Sequence, residues 1–149
     1  MRGADIVQQR ILNHISLSIR MIKMKTIGYF DGTDSNLLTK LAASGFRTLP
    51  LSNEWDNHGK IASHLEPGEV DLIITYLHKL LPGRETVKKI LPAPLDLLYP
   101  AKSYDIPVFV VIPKEFHKEG KKILGEVVNF AEIVSPDELE EKVRKILDF

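Results

Sequence analysis

Val70 to Tyr76, VDLIITY, is the stretch whose reading decides the fold. It is an apolar run rich in β-branched residues, interrupted only by Asp71 and Thr75. A strand with one wet face alternates apolar and polar residues, whereas an unbroken apolar run belongs to a strand covered on both faces. That is the habit of parallel sheets. Pro107 to Ile112, PVFVVI, repeats the signal.

Working outward, Thr26 to Phe30, Phe46 to Leu51 and Phe130 to Val134 supply three more strands. Between them the spacing turns helical. After the turn Asp31-Gly32-Thr33-Asp34-Ser35, an apolar stripe of Leu37, Leu38, Leu41 and Ala42 predicts a helix. Asp34 or Ser35 can cap it, and Gly45 suits its C′ position. Gly59 to Glu66 carries Ile61 and Leu65 at helical spacing, with Pro67-Gly68 closing the segment. Arg84 to Leu91 reads as a short helix. From Pro92 to Asp105, the helical spacing of Leu97, Leu98, Ala101 and Tyr104 is broken by Pro94 and Pro100, which predicts a kinked or interrupted helix. Lys114 to Glu126 reads as helical and charged. Ser135-Pro136-Asp137-Glu138 has the pattern of a capping box with proline at N1, opening a helix with Leu139, Val143, Ile146 and Leu147.

Five strands separated by helices predict an α/β domain over residues 25–149. Parallel strands need crossovers, and right-handed crossovers put helices on both faces. The expected architecture is an open, mostly parallel five-stranded sheet, flavodoxin- or Rossmann-like, in the order 2-1-3-4-5. Residues 1–24 read as a basic amphipathic helix, with Ile11, Ile15 and Ile19 four apart. This is either an extension upstream of the true start or a helix that packs on the domain or on a second subunit. Arg10, His14 and Arg20 interrupt any apolar run, and no small-residue cleavage site follows, which argues against a signal peptide.

Composition narrows the function classes. The 149 residues are 44% hydrophobic and 27% charged, globular values that fit neither disorder nor a membrane span. Twenty basic residues balance twenty acidic ones, so no global field draws nucleic acid or anionic lipid. Cysteine is absent, which excludes thiol catalysis and thiolate metal sites and points to a reducing cytosol. Scarce glutamine and the charged run Glu138 to Lys145 point to a heat-adapted source. Near-zero net charge and the isoleucine stripe of the first segment predict a homo-oligomer.

In such a sheet, ligands bind beyond the carboxyl ends of the strands, where strand order reverses. The loops there are Asp31 to Ser35, Ser52 to His58 and Tyr76 to Lys79. The DGTDS turn offers backbone amides of Gly32, Thr33 and Asp34, with the Thr33 and Ser35 hydroxyls, at a helix N-terminus, a place that suits an anion. Asp31 and Asp34 oppose an anion there unless Lys79 offsets them. The bland alternative is a tight turn followed by a cap. Ser52 and Thr75 add hydroxyls to the ligand-binding set, and His58, His78 and Asp31 are the candidate acid–base groups. No spacing is diagnostic of a metal, and no motif calls for a cofactor: P-loop and dinucleotide fingerprints are both missing. Trp55 is either a lid aromatic or an edge cover. FDGTD is similar to the DxDGT loop of haloacid-dehalogenase-type phosphatases, but Tyr29 stands where the nucleophilic aspartate would be.

Gly32-Thr33, Asn36-Leu37, Ser52 and Gly68-Glu69-Val70-Asp71-Leu72 together resemble the methylglyoxal-synthase-like domain family, as does Tyr104-Asp105-Ile106-Pro107-Val108. That family includes allosteric domains of carbamoyl phosphate synthetase. The resemblance implies a ligand crevice that takes a phosphorylated compound through Thr33 and Ser52. The family's catalytic aspartate position falls on His58 and its next acidic position on His78, which argues against methylglyoxal synthase activity. A fainter likeness, through Asp71 to Tyr76 and His78, is to an archaeal family labelled thymidylate-synthase-like, whose cysteines are missing here. Three readings stand: a domain binding a small anionic metabolite, a small lyase- or hydrolase-type enzyme, and a protein–protein module.

Overall fold

The computed structural model describes residues 8–10, 24–82 and 92–149. The chain runs through β1 (Thr26–Phe30), α1 (Ser35–Ala43), β2 (Arg47–Ser52), β3 (Lys60–Ile61) and β4 (Leu72–Tyr76). It continues with α2 (Pro94–Leu97), α3 (Tyr99–Tyr104), β5 (Val108–Val111), α4 (His117–Leu124), β6 (Ala131–Val134) and α5 (Leu139–Leu147). All pairings are parallel, and the sheet order is β3-β2-β1-β4-β5-β6. This is an open, Rossmann-like α/β sheet. The five expected strands keep their expected neighbours, and a sixth, two-residue strand is added at the β2 edge.

The apolar runs have the cause inferred for them. In β4, Leu72 and Ile74 face one layer of core while Ile73 faces the other. In β5, Phe109 and Val111 face the first, and Val108 and Val110 the second. Successive side chains point to opposite faces, so a strand with two dry faces must be apolar throughout. One layer is closed by Leu37 and Leu41 of α1 and by Leu139, Val143 and Leu147 of α5. The other is closed by Leu97, Leu98, Ala101, Leu124 and Val127.

Several local expectations change. Gly59 to Glu66 is no helix: Lys60 and Ile61 pair with Leu51 and Ser52, and only Ala62–His64 coils, as one 3₁₀ turn. Ile61 and Leu65 are extended on either side of that turn, and Ala62 and Leu65 are buried in the core. In α1, Leu37 and Leu41 are buried but Ala42 is exposed. The helix expected from Lys114 to Glu126 is divided into a 3₁₀ turn at Lys114–Phe116, α4, and a second 3₁₀ stretch at Gly125–Asn129. The capping box at Ser135 does not form. The Glu138 amide donates to the Ser135 carbonyl in a turn, and α5 begins at Leu139 without a side-chain cap. The break expected near Pro94 and Pro100 is present, with α2 and α3 meeting at Leu98. The expected helix at Arg84 to Leu91 lies outside the described residues, as does most of the N-terminal segment. No helix among the described residues is long and apolar enough to cross a membrane.

Candidate functional site

β1 pairs with β2 on one side and β4 on the other, so the chain leaves β1 in one direction and returns to its opposite flank. That reversal opens the crevice in which open α/β sheets bind ligands. Three loops meet there around Asp31, the residue that follows β1. Lys79 Nζ lies 3.4 Å from Asp31 Oδ2, and His58 Nε2 lies 3.6 Å from Asp31 Oδ1. Lys79 comes from the 3₁₀ turn after β4, His58 from the loop after β2. The Asp31 side chain is 54% exposed, whereas those of His58 and Lys79 are 23% and 21% exposed. Residues 48 apart in the chain thus converge on one accessible carboxylate. Partial burial pushes the Asp31 carboxyl up, but the hydrogen bond and charge of Lys79, with His58 and the Gly32 amide, hold it below its usual value.

The DGTDS turn follows its sequence closely. Gly32 has φ +93°, a conformation that L side chains rarely adopt, and a Cβ there would meet nothing within 4 Å. Glycine is required by the backbone rather than by crowding. The Thr33 hydroxyl donates to the Phe30 carbonyl at 2.8 Å. Asp34 caps α1 by accepting the Asn36 amide at 2.9 Å, and Ser35 opens the helix. The Gly32 and Asn36 amides therefore face carboxylates of the protein itself. The resulting turn is negative, and Lys79 is the cation that meets it at Asp31.

The loop after β2 is built from side chains that close turns on neighbouring amides. Ser52 Oγ accepts from the Glu54 amide, Asn53 Oδ1 from those of Trp55 and Asp56, and Asp56 Oδ1 from that of His58. Ser52 Oγ also donates to Asp56 Oδ1 at 3.1 Å. Glu54 and Asn57 have φ of 82° and 52°, left-handed conformations for residues with side chains. At Gly59 a Cβ would press into the Pro50 carbonyl, so only glycine lets the loop return against β2. The fully buried Asn53 donates through Nδ2 to the Lys79 carbonyl at 2.9 Å, joining the two loops that flank Asp31. His58 Nδ1 lies 3.2 Å from the Leu51 carbonyl. A proton on Nδ1 makes that bond and turns Nε2 toward Asp31, where it is protonated only in the imidazolium form.

His78 lies beside Tyr76, ring centroids 5.8 Å apart. Burial first, and the Lys79 charge second, hold its imidazole below the ordinary value against the pull of Asp31. Burial first, and the Asp34 charge with it, raise the Tyr76 phenol against the opposing hydrogen bond with the Asp34 backbone.

Of the residues expected at the site, Asp31, His58 and Lys79 come into contact, His78 feels Asp31 only through its charge, and Gly32 to Ser35 form the adjoining turn. Ser52 and Thr75 are 2% and 0% exposed, and their hydroxyls donate to Asp56 and to the Tyr76 carbonyl. Trp55 is partly buried and packs against the core. Asn53, which joins the two loops, is foreshadowed only by the Ser-Asn-x-x-Asp pattern, since these side chains close turns on nearby amides. Among the described residues no three His, Asp or Glu side chains gather as a metal site.

These features define an open parallel α/β domain with His58, Asp31 and Lys79 gathered at its topological switch point. No protein-family model and no curated protein matches this chain.

Proposed function

We propose that the cleft beyond β1, β2 and β4 binds a small polar metabolite with an anionic group. Lys79 takes that group, joined by His58 or His78 when protonated, while Asp31 takes a hydroxyl or ammonium of the same ligand. The observation that carries this is the meeting of His58, Asp31 and Lys79 on an accessible carboxylate at the switch point. The resemblance to methylglyoxal-synthase-like domains supports a ligand crevice at this edge. It assigns the anion to Thr33 and Ser52, but the buried Ser52 hydroxyl and the acidic turn favour the Lys79 side.

One observation favours a second reading, an acid–base enzyme of lyase or hydrolase type. His58 is anchored through Nδ1 on the Leu51 carbonyl and presents Nε2 to Asp31, the arrangement of a positioned proton carrier. The cysteine-free composition supports a cytoplasmic setting, and the charged C-terminal run a heat-adapted one.

A thermal-shift screen of phosphorylated and carboxylated metabolites at pH 6 and pH 8 tests the binding reading. A ligand at 100 times its Kd stabilises by about 2.7 kcal/mol, which a melt registers. We expect stabilisation that is larger at pH 6 and weakened by Lys79→Met. Turnover of a stabilising compound, lost in His58→Gln, selects the enzyme reading. A flat screen at both pH values sinks both and favours the interaction module.

A further inference from the structure

α5 and the residue before it carry a charge pattern that is antisymmetric about its own midpoint. Glu138, Glu141, Lys142 and Lys145 stand at i, i+3, i+4 and i+7, on one helical face. These same residues line one groove of about 200 Å³. Lys142 and Lys145 are shared with an adjoining groove of about 300 Å³, which is floored by Phe109 and flanked by Glu132 and Ile146. Ile146 is 38% exposed, an apolar side chain open to solvent beside that groove. Lys142 reaches Glu132 at 2.8 Å, but among the described residues Glu138, Glu141 and Lys145 enter no ion pair. β6 beside them is the last strand of the sheet, with no neighbour on its outer side among the described residues.

A face that is acidic at its start and basic at its end is complementary to itself turned around. A two-fold contact presents the same patch on both subunits, so each acidic half meets the partner's basic half. We propose that this face of α5, with the groove beside it, is where a second copy of the chain docks antiparallel. Glu138 then faces the partner's Lys145, and Glu141 the partner's Lys142. The pairing also covers Ile146 and the Phe109 floor. Because the contact is one helix wide and rimmed by exposed charges, the dimer is reversible and salt-sensitive.

Charge reversal in the full chain tests this without depending on the cleft. Sedimentation equilibrium of the wild type at low salt should give twice the 16.9 kDa chain mass, falling toward one chain at about 1 M salt, where the screening length is about 3 Å. Glu138→Lys/Glu141→Lys should be monomeric, because four lysines then oppose four. Lys142→Glu/Lys145→Glu should be monomeric for the mirror-image reason. Mixing the two variants one to one should restore the double mass as a heterodimer, which misfolded chains cannot do. If one double variant loses its circular dichroism spectrum, Glu138→Gln/Glu141→Gln replaces it and should still dissociate. A wild type that stays monomeric at low salt overturns the proposal. So do charge-reversed variants that dimerise as well as the wild type, or a mixture that stays monomeric.

Discussion

β4 is closed to water along nearly its whole length, the loop that follows β2 only at Ser52 and Asn53, and they hold together by different means. β4 is apolar on two faces, and any residue of similar size and hydrophobicity fills its positions tolerably. The Ser52–Gly59 loop has a buried amide, a hydroxyl and a carboxylate at its centre, each bonded to a particular backbone group, although Asp56 Oδ2 is buried without a partner. It also holds Glu54 and Asn57 in left-handed conformations that the network must support. The strand needs a kind of residue; the loop needs those residues. The difference also divides labour, since the strand fixes where the switch point lies and the loop fixes where His58 stands.

The sharpest way to break the comparison is to truncate one residue in each region. Ile74→Ala should cost about 4 kcal/mol in chemical unfolding, through lost burial and a cavity at a fully buried site. Asn53→Ala should cost about 3 kcal/mol, because the Trp55 and Asp56 amides and the Lys79 carbonyl lose their partner. Only Asn53→Ala should also disturb the Asp31 titration, since Asn53 ties the His58 loop to Lys79. An Ile74→Ala protein with an equally altered Asp31 would erase the distinction.

The turn after β1 sits between these extremes and should respond less. Gly32→Ala should cost about 1–2 kcal/mol from backbone strain alone, because open space surrounds the added methyl. Asp34→Ala should cost about 1 kcal/mol as a lost helix cap.

Titration gives the finest reading. Asp31 is held below its usual value, so the folded protein binds fewer protons there than the unfolded chain does. Its stabilising contribution is present above the unfolded value and is lost as pH falls through the folded one. His78 is also lowered, by burial and then by Lys79, and neutral His78 likewise supports folding above the unfolded value of about 6.5. Support declines as pH falls below that value. Lys79→Met should move both titrations upward in a two-dimensional NMR series. A Lys79→Met protein with Asp31 and His78 unmoved would contradict the contact.

These regions also differ in how much the sequence discloses. VDLIITY and PVFVVI are legible because two-sided burial writes itself into every position of a strand. DGTDS is legible because a left-handed glycine and a capping aspartate act within a few residues. The meeting of Lys79 with Asp31 was readable only as loops sharing an edge, since the contact spans 48 positions. The burial of the Ser52 and Thr75 hydroxyls is not legible in the sequence, because residue type does not report how far a group lies from solvent. Ile61 and Leu65 mimicked a helix because a strand, a 3₁₀ turn and an extended residue happened to set the same spacing.

The most direct test of the central claim is calorimetric titration of the strongest stabiliser from the metabolite screen into three proteins: wild type, Lys79→Met and Asp31→Asn. Each substitution removes a charged partner, so affinity should fall by about 10-fold or more, equivalent to about 1.4 kcal/mol or more. Affinity unchanged in both variants would place the ligand elsewhere and contradict the assignment of this cleft.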